Sequence, residues 1–106
     1  MRRTRAAQLI ALYKTPKDPK AFDAYYFSTH VPLAKKIPGL QKYEVSDGGV
    51  GGPGGGAYHL VALLSFKSAA DIGAGLGAPD GQAAAGDLGN FADGGVELLV
   101  FDTKTL

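Results

Sequence analysis

The segment 58–66, Tyr-His-Leu-Val-Ala-Leu-Leu-Ser-Phe, most limits what this chain can fold into. Alternate side chains of a strand point to opposite faces, so Tyr58, Leu60, Ala62, Leu64 and Phe66 fall on one side and Val61 and Leu63 on the other. Residues 8–14 repeat the pattern, with Leu9, Ala11 and Tyr13 opposing Ile10 and Leu12. So do residues 96–102, where Val96, Leu98 and Val100 oppose Leu99 and Phe101. A sheet that meets water on one face alternates apolar with polar residues. These strands need cover on both faces.

What lies between the strands supplies cover for one face only. Asp18 is placed to cap a helix that Pro19 opens, which runs over 19–36 and is closed by Pro38-Gly39. A second strand is expected over 40–46, then a Gly-rich loop over 47–56. Ser68-Ala-Ala-Asp71 resembles a capping box and opens a second helical region, which Pro79 restarts and which extends to about residue 92. Glycines at 73, 75, 77, 81, 86 and 89 each cost up to about 1 kcal/mol there relative to alanine. That region should be the least stable part of the fold. The order strand, helix, strand, strand, helix, strand is the ferredoxin-like βαββαβ unit of the α+β class: a four-stranded antiparallel sheet with both helices on one face. The economical cover for the other face is a second copy, paired about a two-fold axis into a barrel, with a cavity between sheet and helices in each half. The expected assembly is a homodimer of this dimeric α/β barrel.

The chain has 106 residues, which makes it one domain, with residues 1–7 expected to be disordered or flexible. A formal charge of +1 and scattered basic residues argue against a nucleic-acid partner. The run after Arg2, Arg3 and Arg5 is too short for a secretory signal, and no stretch is apolar enough to cross a membrane, so a cytoplasmic location is expected. The absence of cysteine removes disulfides and thiolate chemistry. Two histidines without ligand spacing make a zinc site improbable, and no metal is expected. Gly49-Val-Gly51-Gly-Pro-Gly54 fits a dinucleotide-binding pattern literally but does not open a helix in a parallel crossover. The acids are dispersed, mostly at turns and helix starts, and no catalytic carboxylate pair stands out.

One histidine does stand out. Turned at about 100° per residue, the first helix stacks Phe22, Tyr26, Leu33 and Ile37 in an apolar stripe and leaves His30 about 45° from its centre, at the edge of the buried face. Pro32 has no N–H to offer the Ser28 carbonyl and pushes Val31 away from helical geometry, so the helix should loosen beside the imidazole. Loosened backbone leaves room for a small ligand. Alternatively, His30 is a hydrogen-bonded packing residue at a boundary.

The combination Phe22-x-x-Tyr25-Tyr26-x-x-Thr29-His30-x-Pro32-Leu33, then Ile37-Pro38-Gly39-Leu40 and Tyr43, resembles the signature of the EthD family, named for ethyl tert-butyl ether degradation. The similarity runs from Leu9 to Phe101 and includes Pro79-x-Gly81-Gln82 and Asn90-Phe91-Ala92, while Gly75, Gly86, Gly89 and Ala78 depart from it. It implies the dimeric α/β-barrel superfamily, which also holds muconolactone isomerases, cofactor-free monooxygenases and haem-degrading enzymes. It carries over Phe22, Tyr26, His30 and Pro32 as motif positions. The function this suggests is acid-base chemistry by His30 on a small hydrophobic carbonyl or aromatic compound, without a cofactor, in a catabolic or secondary-metabolic pathway. Tyr26, one turn earlier, would donate a hydrogen bond to a developing enolate, or else is ordinary core. Tyr43, His59, Tyr13 and Phe22 are candidate substrate contacts. The rival readings are a non-catalytic small-molecule carrier and a haem protein with His30 as axial ligand.

Overall fold

The computed structural model describes residues 6–53, 56 and 58–106. Strands β1 (Ala6–Lys14), β2 (Lys42–Val45), β3 (Tyr58–Phe66) and β4 (Val96–Thr103) form one antiparallel sheet in the order β2-β3-β1-β4. Helix α1 (Pro19–Tyr25), a π-helical turn (Tyr26–His30) and α2 (Val31–Ala34) form the first crossover, and α3 (Ala69–Gly77) with α4 (Pro79–Phe91) form the second. This is the expected α+β, ferredoxin-like order. β1 begins earlier than expected: Ala6 and Ala7 belong to it, and Ala7 is wholly buried, so of residues 1–7 these two are ordered by strand pairing and the rest lie outside the described residues. β2 is shorter than 40–46, although Gln41 and Ser46 still donate backbone hydrogen bonds to Ser65 and Val61 on β3.

The helix boundaries follow the local chemistry. Asp18 Oδ1 accepts the Ala21 N–H at 3.1 Å, with Pro19 at the first helical position. Ser68 Oγ accepts the Asp71 N–H at 3.1 Å and opens α3. Gly39 has φ of +85°, a left-handed conformation that lets the chain turn sharply out of the first crossover into β2.

The first crossover departs from a regular helix at Pro32. Val31 N–H bonds the Tyr26 carbonyl, five residues back, and Ser28 Oγ donates to the Ala24 carbonyl at 2.6 Å. Val31 itself keeps helical angles, φ −56° and ψ −47°, contrary to the sequence expectation. The helix adapts to proline by widening one turn rather than by distorting the residue before it. The wide turn rotates everything after it, so the buried face continues through Tyr26, His30, Ala34 and Ile37, and Leu33 moves to a half-buried flank.

One sheet face packs on the helices through Leu9, Ala11, Tyr13, Leu60, Ala62, Leu64 and Phe66, all buried. The opposite face carries Ile10, Leu12, Val61, Leu63, Leu99 and Phe101, and Leu63, Leu99 and Phe101 are 37%, 48% and 44% exposed. The predicted two-sided apolarity is therefore real. A register shift between Tyr13 and Lys14 changes the end of β3: Tyr58 pairs with Lys14 and its hydroxyl donates to Glu97 on the outer face. Tyr58 thus does not share the helix side with Leu60, and His59 turns toward α1 instead.

The glycines of the second crossover divide into two groups. A Cβ on Gly81 would collide with the backbone of Gly75, and one on Gly75 with the Pro38 carbonyl, whereas Gly86 and Gly89 face open space. Denaturant melts should show Gly86→Ala and Gly89→Ala each gaining up to about 1 kcal/mol. Gly81→Ala should lose about 1–3 kcal/mol through overpacking. A stabilised Gly81→Ala variant would contradict this assignment of the close contact.

Candidate active site

The space between sheet and helices is a shortage of side-chain volume. Ala11 and Ala62 face each other across the β1–β3 ladder, and Ala34 and Ala84 approach them from the helices, so larger neighbours such as Leu9, Leu64, Leu76 and Leu88 border a recess instead of filling it, open on the side of the exposed Leu98. The cavity measures about 70 Å³ and is also lined by Tyr13, Tyr26, His30 and Tyr43. This is room for a few waters or for about one small ring.

His30 enters this cavity wall because of the π-helical turn. Its residue is only 5% exposed, deeper than the boundary position expected from regular helical periodicity. Its Nδ1 lies 3.0 Å from Oδ2 of Asp87 on α4. Asp87 is itself buried and accepts two further hydrogen bonds at Oδ1, from the Tyr25 hydroxyl at 2.6 Å and from Asn90 Nδ2 at 2.9 Å. Burial opposes ionisation of the Asp87 carboxyl, but the donors Tyr25, Asn90 and His30 outweigh it and hold its pKa below the ordinary value. Burial pushes the His30 pKa down from 6.5, and the neighbouring Asp87 only partly offsets this. At neutral pH the pair is therefore a carboxylate and a neutral imidazole. A carboxylate only accepts, so the imidazole proton sits on Nδ1 and Nε2 carries the lone pair. His30 thus offers a base to the cavity, oriented by Asp87.

The tyrosines form the second polar group. The hydroxyls of Tyr26 and Tyr43 are 2.6 Å apart, and Tyr13 packs edge-on against Tyr26 at 5.5 Å between ring centroids. Burial raises the pKa of all three, and the proximity of Tyr43 adds to the effect on Tyr13 and Tyr26. They remain neutral and can donate. Phe91 closes the site behind His30, its ring centroid 4.7 Å from the imidazole.

Of the residues singled out from sequence, His30, Tyr26, Tyr43 and Tyr13 line one cavity. Phe22 and His59 do not. Phe22 is buried behind Tyr13 and Tyr26 as part of the aromatic support. The strand bulge directs His59 to the far side of Phe22, where its Nε2 meets Asp23 Oδ1 at 2.7 Å. Asp87 escaped sequence reading because it sits in mid-helix among alanines and glycines, far in sequence from His30. The sequence does hold a signal for it: an aspartate at a position that the helical repeat of Gly81, Ala84 and Phe91 places on the buried face.

An NMR titration of the imidazole tests the electrostatics. The folded-state pKa of His30 lies below the unfolded value, so between the two the unfolded chain binds more protons and stability falls as pH drops through that window. The His30 midpoint should lie below 6.5, and lower still in Asp87→Asn, which removes the charge that favours the imidazolium. A midpoint that rises in Asp87→Asn would show that the carboxylate is not the partner.

Among the described residues, no helix is long and apolar enough to cross a membrane. Comparison with known proteins fits the geometry. An uncharacterised 11.0 kDa protein in the thcB-thcC intergenic region of Rhodococcus erythropolis is 42% identical over 101 residues, covering 93% of this chain and 96% of its own. A crystal structure of an ethyl tert-butyl ether degradation family protein from Bacillus halodurans superposes with a TM-score of 0.78 at 32% identity, covering 95% of this chain and 99% of its own. At lower identity the fold recurs in a dimeric ferredoxin-like protein of unknown function from Thermobifida fusca (16%, TM-score 0.66, covering 95% of this chain and 92% of that one). It recurs also in SnoaB, a cofactor-independent oxygenase from Streptomyces nogalater (14%, TM-score 0.63, covering 97% of this chain and 96% of that one). The EthD domain family matches residues 14–95, and with these relatives it places the chain in the EthD family.

Proposed function

We propose that the protein is a small cofactor-independent enzyme of a catabolic or secondary-metabolic pathway that moves a proton on a hydrophobic carbonyl or aromatic compound. The observation that carries this reading is the His30–Asp87 pair beside an apolar cavity. His30 Nε2 takes a proton from an acidic C–H or O–H of the ligand, and Asp87 stabilises the imidazolium that results. Tyr26 and Tyr43 donate to the oxygen on which negative charge develops. The proton then returns from Nε2 to another atom of the ligand, an isomerisation or cyclisation that needs no external oxidant. The cofactor-independent oxygenase of the same fold supports the absence of a cofactor by analogy of fold alone. A cytoplasmic location is part of the same reading.

The functional unit in this reading is a homodimer. The exposed apolar face around Leu99 and Phe101 would meet its symmetry mate, as the description of similar folds as dimeric supports. Light scattering at micromolar concentration should give twice the protomer mass, and Phe101→Lys should shift it to one. A well-behaved single protomer of the unaltered protein would remove the dimer.

The proton-transfer role is checked by deuterium exchange at the α-carbon of small ketones such as cyclopentanone and acetophenone, followed by NMR in D2O. Exchange above the buffer rate should fall by about 10²-fold or more in His30→Ala. Equal exchange in the variant would sink the role of His30. Saturable binding without exchange would assign the protein to carriage rather than catalysis.

A further inference from the structure

Resting on the reading of this cavity as the ligand site, we propose that it selects uncharged ligands, each presenting one proton donor to His30 Nε2 and one oxygen to the Tyr26–Tyr43 hydroxyl pair. Three observations combine. Among the described residues, the cavity wall contains no lysine, arginine, aspartate or glutamate, so neither a carboxylate nor an ammonium group finds a counter-charge in it. Asp87 stands directly behind His30, and its charge reaches the cavity through a wall of low polarity, which disfavours a second negative charge. The same field draws a cation, but the Asp87 oxygens already hold Tyr25, Asn90 and His30, so a cation finds no direct bond there to replace the hydration it gives up in an apolar cavity.

The remaining polar groups define what a neutral ligand must supply. With its Nδ1 proton committed to Asp87, the imidazole is an acceptor at Nε2. Tyr26 shares hydrogen bonds with both Tyr43 and Tyr13, and a chain of three hydroxyls uses two of its three protons internally, which leaves one for a ligand oxygen. Amides, enolisable ketones and phenols meet both demands; carboxylates, phosphates and amines do not.

Three probes of nearly identical shape separate the alternatives: benzamide, benzoate and benzamidine, which at neutral pH are uncharged, anionic and cationic. Titrated against the intact protein at pH 7.5 and followed by NMR at His30, benzamide should bind about ten-fold or more tightly than either ion. The disadvantage of benzoate should narrow in Asp87→Asn, and Tyr43→Phe should weaken benzamide several-fold. Equal or tighter binding of benzoate or benzamidine, or no binding of any probe up to millimolar concentration, would overturn the proposal. These readouts involve no turnover. Failure of ketone exchange with benzamide selectivity intact rejects the catalytic reading and keeps this one, and the reverse result rejects only this one.

Discussion

The missing N–H of Pro32 is the constraint on which the site depends. A regular helix through residues 19–34 would leave His30 on the flank of the buried stripe. The proline withdraws a donor that the turn before it requires, and the backbone answers by reaching five residues, from Val31 to Tyr26, instead of four. That single wide turn brings Tyr26, His30, Ala34 and Ile37 into line on the buried side. An imidazole placed there has to find a hydrogen-bonding partner, because an unpaired polar group in the core is costly. Asp87 is that partner, and the two crossovers are joined through it.

The protein contains two histidine–aspartate pairs, and burial separates their roles. His59 and Asp23 have the shorter contact, 2.7 Å against 3.0 Å, yet their side chains are 21% and 49% exposed, so water screens the pair. The His30 and Asp87 side chains are 7% and 6% exposed, and the carboxylate there is held by two donors besides the imidazole. A buried charge is tolerated only with such a full set of donors. Distance alone would have ranked the wrong pair first.

The cavity and the glycine-rich second crossover follow from the same economy of volume. Alanines at facing positions leave a void that apolar neighbours would otherwise close, at a cost in lost packing. Gly75 and Gly81 let α3, α4 and the turn after α2 approach closely, which holds the Asp87-bearing helix against the first crossover. Gly86 and Gly89, by contrast, touch nothing that requires them, and the structure offers no packing reason for them.

Much of the architecture was legible in the residue pattern, because it rests on local or periodic rules. Two-sided apolar strands, the Asp18 and Ser68 caps, the restart at Pro79 and the turn at Gly39 depend on neighbours a few residues away, and each appears where its chemistry requires. His30, Tyr26, Tyr43 and Tyr13 were legible as candidates for the same reason. What only the tertiary structure decided were matters of direction and long-range pairing: the inward rotation of His30, its union with Asp87 57 residues away, the bulge that sends His59 elsewhere, and the retreat of Phe22 behind the wall. A helix can accommodate a proline by kinking, ending or widening, and a strand can bulge at any of several residues. Local energies leave these options close together, and the packing of the whole core selects among them.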